Sequence, residues 1–138
     1  MKRFRILGHG GDVCIEVRGN SLPELFENTA EALFRIITDT KRVRKKKSRR
    51  VRIEQEDHNH LLVAWLNELL YLFEKEGLLF SRFRVDRIDE GSLEATAEGE
   101  TYDGGRHPIQ NLVKAATFHQ LQLKEVDGLW KARIILDL

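Results

Sequence analysis

A chain of 138 residues with 41% hydrophobic and 33% charged residues is long enough to bury a core without covalent staples. A single cysteine, Cys14, excludes an intrachain disulfide and suits a reducing cytoplasm. No apolar run approaches the roughly 20 residues of a membrane span, and the basic, apolar stretch Met1–Leu7 is too short for a signal peptide. The net charge of +1 conceals an asymmetry: residues 41–52 hold nine of the 23 basic residues and no acid, leaving 14 basic against 22 acidic residues, a balance of −8, elsewhere. With no repeat, linker or low-complexity tail, one domain is expected over residues 1–138.

The first feature along the chain is Gly8-His9-Gly10-Gly11-Asp12, followed by the alternating Val13, Ile15 and Val17 of a strand. The glycines suit a tight turn. Alternatively, they form a flexible loop that presents Asp12 and His9. The glycine spacing is not that of a phosphate-binding fingerprint. Ser21-Leu22-Pro23-Glu24 has the form of a capping box with proline in the first turn. Leu22, Leu25, Phe26, Thr29, Ala30, Leu33, Phe34 and Ile37 then recur at helical spacing, which predicts a helix over 22–37.

The basic run KRVRKKKSRRVR follows. It reads either as a nucleic-acid patch or as a charged strand edge that resists aggregation. No aromatic residue interleaves with its charges, so base stacking is not indicated. A second helix is predicted over 60–76, with Asp57 or Asn59 as its cap and Gly77 after it. Its apolar set is Leu61, Leu62, Trp65, Leu66, Leu69, Leu70 and Phe73. His58 and His60, at i and i+2, do not share a helix face.

Strands are expected over 43–54, 79–88, 93–101, 116–126 and 129–138, and a short helix near 109–115. In the last strand Trp130, Ala132, Ile134, Leu136 and Leu138 alternate with Lys131, Arg133 and Asp137. The economical architecture is α+β: a mainly antiparallel sheet with two amphipathic helices packed on one face.

Three places carry chemistry. Asp137 and the carboxylate of Leu138 form an anionic pair at a strand end, and hard cations favour clustered oxygens; a solvated strand end is the plain alternative. Lys114 and His119 suit acid–base chemistry, but such residues are more often a surface lysine and a hydrogen-bonded histidine at the rim of the core. Asp12 sits behind its glycine turn. No serine-hydrolase elbow, P-loop or zincin motif occurs, so stand-alone catalysis has little support.

Together these segments resemble the archease family. That family's N-terminal histidine-to-aspartate motif stands here as His9-Gly10-Gly11-Asp12-Val13-Cys14-Ile15, with Gly10-Gly11 in place of Thr-Ala. Leu25-Phe26-Glu27, the stretch ending at Thr38-Asp39, Leu61-Leu62 with Trp65 to Leu70, Gly99-Glu100, Lys114 to His119 and the penultimate Asp137 follow in family order. The basic run is not part of the family pattern.

The resemblance implies an archease-like fold and a cytoplasmic, non-enzymatic accessory protein. Such a protein activates an RtcB-type tRNA-splicing RNA ligase by promoting its guanylylation and multiple turnover. It also implies a divalent metal, Ca²⁺ first with Mn²⁺ or Mg²⁺ as alternatives, held by Asp12, Asp137 and Leu138. His9, Lys114 and His119 are left as a partner contact or secondary site. Two other expectations stand beside this one: an RNA-binding chaperone acting on tRNA through residues 41–52, and a metal-dependent hydrolase using Asp12, Asp137 and His119.

Overall fold

Two capped helices set the frame. A computed structural model describes residues 3–138, apart from the side chain of His9. Helix α1 spans Leu22–Ile37, as its periodicity predicts. Ser21 Oγ accepts from the Glu24 amide at 3.2 Å, satisfying one of the amides that a helix start leaves unpaired. Helix α2 spans His58–Glu76. It begins two residues before the predicted start because Asp57 is the cap, its Oδ1 accepting from the His60 amide at 2.9 Å. At the other end the Gly77 amide reaches back to Phe73 O.

Among the described residues eight strands accompany the helices, and every pairing is antiparallel: β1 (Phe4–His9), β2 (Asp12–Gly19), β3 (Lys47–Glu54), β4 (Leu78–Ile88), β5 (Ser92–Thr101), β6 (Ala115–Ala116), β7 (Gln122–Val126) and β8 (Leu129–Asp137). They divide into two sheets. One has the order β1-β2-β8, with β6 and β7 occupying successive stretches of the far edge of β8; the other has the order β3-β5-β4. Both helices touch strands of both sheets, so they form one layer that the two sheets share. The buried side chains make one contiguous cluster. Trp65 and Phe26 are fully buried in it, and the indole N–H of Trp65 donates to Phe26 O at 3.0 Å. This bond ties α2 to α1 and leaves the indole nitrogen satisfied.

Three predicted segments turn out differently, each for a backbone reason. The stretch predicted as strand over 43–54 is strand only from Lys47. A 3-10 turn occupies Thr40–Arg42, with Asp39 accepting from the Lys41 amide at 3.2 Å. The next carbonyl and amide go elsewhere: Ser81 Oγ donates to Val43 O, and the Arg44 amide donates to Glu100.

The strand predicted over 116–126 is split into β6 and β7. The Thr117 amide and hydroxyl both donate to Ile135 O, the Leu121 amide turns back to Phe118 O, and Gln120 has φ 52°.

No helix forms near 109–115. The Gln110 amide donates to Ile37 O and the Asn111 side chain to Ile36 O. Thr38 donates to Pro108 O, and the Lys114 amide donates to Asp137 O. The donors that would wind a helix here instead satisfy the open carbonyls of α1 and the end of β8.

Two glycines are required by their positions. Gly10, with φ 57°, lies in the two-residue turn that closes the β1–β2 hairpin between the paired residues His9 and Asp12. A Cβ at Gly99 would lie 1.8 Å from Leu79 O, where β4 breaks register between Phe80 and Arg82. Only glycine lets the two backbones approach this closely.

Candidate metal centre

β2 and β8 run antiparallel with Asp12 directly opposite Asp137. The next pair outward is Gly11 and Leu138, where the Leu138 amide donates to Gly11 O at 3.0 Å. Hydrogen-bonded and non-bonded pairs alternate along such a ladder. Asp12 and Asp137 are therefore a non-bonded pair, in which Cα atoms stand about 4.5 Å apart and side chains come closest. Because side chains alternate across a strand, both carboxylates point away from the helices. The helix-facing neighbours Val13, Ile15, Ile134 and Leu136 are all buried, whereas both aspartates are exposed.

Like charges directly opposite each other on a sheet are unfavourable. What holds them here is the ladder itself and the tight turn at Gly10-Gly11. On the other edge of β8, Ala115 pairs with Asp137, and the Lys114 amide donates to Asp137 O at 2.7 Å. The end of β8 is thus gripped from both sides.

The fold therefore brings together Asp12, Asp137, Leu138 and the backbone of Lys114, which lie far apart in sequence. The Lys114 side chain is exposed. His9 pairs with Asp12 through the hairpin register, and its side chain lies outside the described residues. His119 is exposed in the turn after Phe118, without a hydrogen bond or ion pair among the described residues. It is not the hydrogen-bonded histidine of a core rim, because the chain leaves β8 after Thr117 and turns back on itself between Phe118 and Leu121.

Among the described residues no three His, Cys, Asp or Glu side chains converge as a metal cluster. The aspartates stand as a pair, with Leu138 held beside them by its amide bond to Gly11 O. An all-oxygen donor set of this kind fits a hard cation. Cys14 lies on the same strand but is buried. His58 and His60 are occupied, the first with Asp89 O at 3.1 Å and the second with Asp57 Oδ1 at 2.7 Å.

One ionic constellation has no counterpart in the candidate residues read from the sequence. Glu100 is buried near the end of β5. The Arg44 amide donates to it at 2.8 Å, Arg106 Nη1 at 3.0 Å and His107 Nε2 at 2.9 Å. These donors, the Arg44 amide foremost, hold its carboxyl down at a pKa of about 2. The Asp103 amide donates to His107 Nδ1, which fixes the tautomer with its proton on Nε2. The Gly-Glu pair was visible in the sequence, but the partners that explain Glu100 come from the 3-10 turn region and the 103–107 turn. No periodicity reveals these.

The basic segment runs from the 3-10 turn into β3, an edge strand of the smaller sheet. Several of its charges are spent within the fold: Arg49 on Glu76, Arg42 on Asp39, Arg52 on Glu54, and Lys47 on the Thr101 hydroxyl.

Two helices shared by two antiparallel sheets, with opposed aspartates at the end of the final strand, define an α+β domain. The chain matches the family model described as Archease protein family (MTH1598/TM1083) over residues 4–138, and it belongs to that family. It is 44% identical to the protein archease of Methanothermobacter thermautotrophicus, with 100% of each chain covered. It is 41% identical to that of Methanosarcina acetivorans, covering 99% of this chain and 97% of that protein. The solution structure of Methanobacterium thermoautotrophicum protein 1598 shares 44% identity, with 100% of both chains covered and a TM-score of 0.86. A crystal structure of an archease, possible chaperone, from Thermotoga maritima shares the fold at 17% identity and a TM-score of 0.67, covering 96% of this chain and 94% of its own. Among the described residues no helix is long and apolar enough to cross a membrane.

Proposed function

We propose that this archease is a non-enzymatic accessory protein that activates an RtcB-type tRNA-splicing RNA ligase, promoting its guanylylation and multiple turnover through a carboxylate metal site. The observation that carries the reading is the register of Asp12 against Asp137, with Leu138 fixed beside them. Two carboxylates at a non-bonded ladder position repel each other unless a cation neutralises them. Asp12, Asp137 and the Leu138 carboxylate would hold a divalent ion, Ca²⁺ first among the candidates, with Mn²⁺ or Mg²⁺ as alternatives. The ion supplies positive charge at a strand end that otherwise carries the two opposed carboxylates. The chain's own contribution is to hold three oxygens in fixed relation at an exposed edge where a partner enzyme has access. Lys114, immediately beside Asp137, and the exposed His119 extend that edge as contacts for the ligase.

The test is a guanylylation assay of the cognate ligase with and without the protein, run beside calorimetric titration with Ca²⁺ and Mn²⁺. Stimulation by the unmodified chain, with loss of both metal binding and stimulation in Asp137→Ala and in a chain extended beyond Leu138, is the expected result. Equal stimulation by all three proteins would overturn the site. No stimulation by any would overturn the function.

A further inference from the structure

The ladder that places the aspartates on the helix-free face of the larger sheet places a row of cations on the same face, toward the opposite end of the strands. Arg5 pairs with Glu16, Glu16 with Arg133, and Arg133 with Gln122 across β1, β2, β8 and β7. Two residues further along, Arg18 pairs with Lys131 and Lys131 with Lys124. Side chains at directly paired positions share a face, as do those at i and i+2, so all of these point outward together. They line an open groove of about 500 Å³. Its charged lining is Arg5, Arg18, Lys124, Lys131 and Arg133 against one acid, Glu16. Arg5 and Arg133 both reach Glu16, so that carboxylate is shared between two guanidinium groups. The groove keeps an excess of four positive charges in a protein whose net charge is +1.

We propose that this groove binds the phosphate backbone of a single-stranded nucleic acid, independently of base sequence. Charge complementarity favours that occupant, and three features separate it from others. The outward side chains are charged or amide-bearing, whereas a protein partner would need an apolar centre to its interface. The groove is open and its one aromatic, Phe4, is half-buried on the helix-facing side, opposite the outward row, so nothing encloses or stacks on the base of a free nucleotide. The cations are also regularly spaced: Lys131 and Arg133 stand about 6.6 Å apart along β8, and neighbouring strands are about 4.8 Å apart. That geometry matches a chain of evenly repeated charges crossing the sheet, with room for two or three phosphates. The aspartate pair, about 13 Å beyond Arg133 at the strand end, bounds the footprint on the acidic side. The surface is distinct from the basic segment at 41–52, which lies on the other sheet, and it does not depend on the metal site.

The test is fluorescence anisotropy with a short mixed-sequence single-stranded RNA, titrated across ionic strength with full-length protein. The K124E/K131E double variant is expected to weaken binding roughly tenfold at low salt and to reduce the slope of log K against log salt by about 1.4, since about 0.7 is lost per phosphate contact. K124Q/K131Q, which keeps the stems of both side chains, should give the same direction with a smaller loss in affinity. K45E/K46E should leave binding unchanged, and poly-glutamate should compete poorly. Circular dichroism checks that each variant is folded. Absence of RNA binding at low salt, loss of binding in K45E/K46E instead of the groove variants, or equal competition by poly-glutamate would each overturn the proposal.

Discussion

Asn67 and Ala116 hold each other by two reciprocal hydrogen bonds: the Ala116 amide donates to Asn67 Oδ1 at 2.8 Å, and Asn67 Nδ2 donates to Ala116 O at 3.2 Å. A side-chain amide on α2 thus stands in for the missing strand beside β6. Ala116 pairs with Leu136 and its neighbour Ala115 with Asp137, so this contact connects the helix layer to the end of β8 where the aspartates lie. Asn67→Ala should strand both backbone groups of Ala116 and cost about 2 kcal/mol. Hydrogen exchange should show faster exchange at Ala116 and Lys114, with little change in β3–β5. Unchanged exchange at both amides would show that β6 is held by β8 alone.

The opposed aspartates make a prediction whose sign depends on metal. Without divalent ions, Asp137→Asn removes one of two like charges at a non-bonded pair and should stabilise the protein by about 0.5 kcal/mol. With Ca²⁺ or Mn²⁺ present the same variant should be the less stable of the two proteins, because ion binding adds stability only where the ligands are intact. Thermal unfolding in chelator and in millimolar metal measures both. Parallel shifts in the two conditions would remove the metal site.

Glu100 gives the acid limb of stability. Its folded pKa of about 2 lies below the usual 4.5 of a glutamate. The group binds fewer protons in the folded state, so its contribution is present above about pH 4.5 and is lost as pH falls through about 2. Glu100→Gln should flatten the dependence of unfolding free energy on pH across that window and cost roughly 3 kcal/mol at neutral pH, where Arg106 loses its buried partner. Glu27 acts in the opposite sense. Its carboxylate accepts from the Val85 amide at 2.8 Å, and burial raises its pKa. Its contribution is therefore full below its unfolded value and declines as pH rises through the folded one. Urea titrations between pH 2 and pH 7 on the wild type and both glutamine variants separate the two limbs.

Gly99→Ala places a methyl group 1.8 Å from a backbone carbonyl oxygen, which no rotamer change relieves. The expected cost is about 3 kcal/mol or more, at the upper end for overpacking. The β4–β5 pairing should suffer most, because the register break between Phe80 and Arg82 sits at this contact. Denaturant unfolding gives the magnitude. A loss below about 1 kcal/mol would mean that the two strands can separate there without consequence.

The sequence by itself determined the elements whose stability is local. The limits of α1 follow from a serine cap and a periodic apolar face, both read within one segment, and the structure starts and ends that helix at the predicted residues. The strands at 79–88, 93–101 and 129–138 alternate strongly enough that their positions were legible, since burying one face of a sheet dictates period two. The candidate residues Asp12, Asp137 and Leu138 came from the resemblance to archeases and from the chemistry of oxygen donors. Their mutual position did not, because a register between residues 125 apart leaves no mark on either segment alone.

Tertiary structure also decided the fate of the segments with weak local preference. Residues 109–114 gave their hydrogen-bond donors to α1 and β8 instead of winding a helix, and the strand expected over 116–126 broke where Thr117 bonded Ile135 twice. The strands divided into two sheets, and that division separates the basic edge at 41–52 from the cationic row on the larger sheet. Which charges share a face is settled by strand pairing, and pairing is chosen by the whole core, because a slip of one residue would turn every side chain of a strand to its other side.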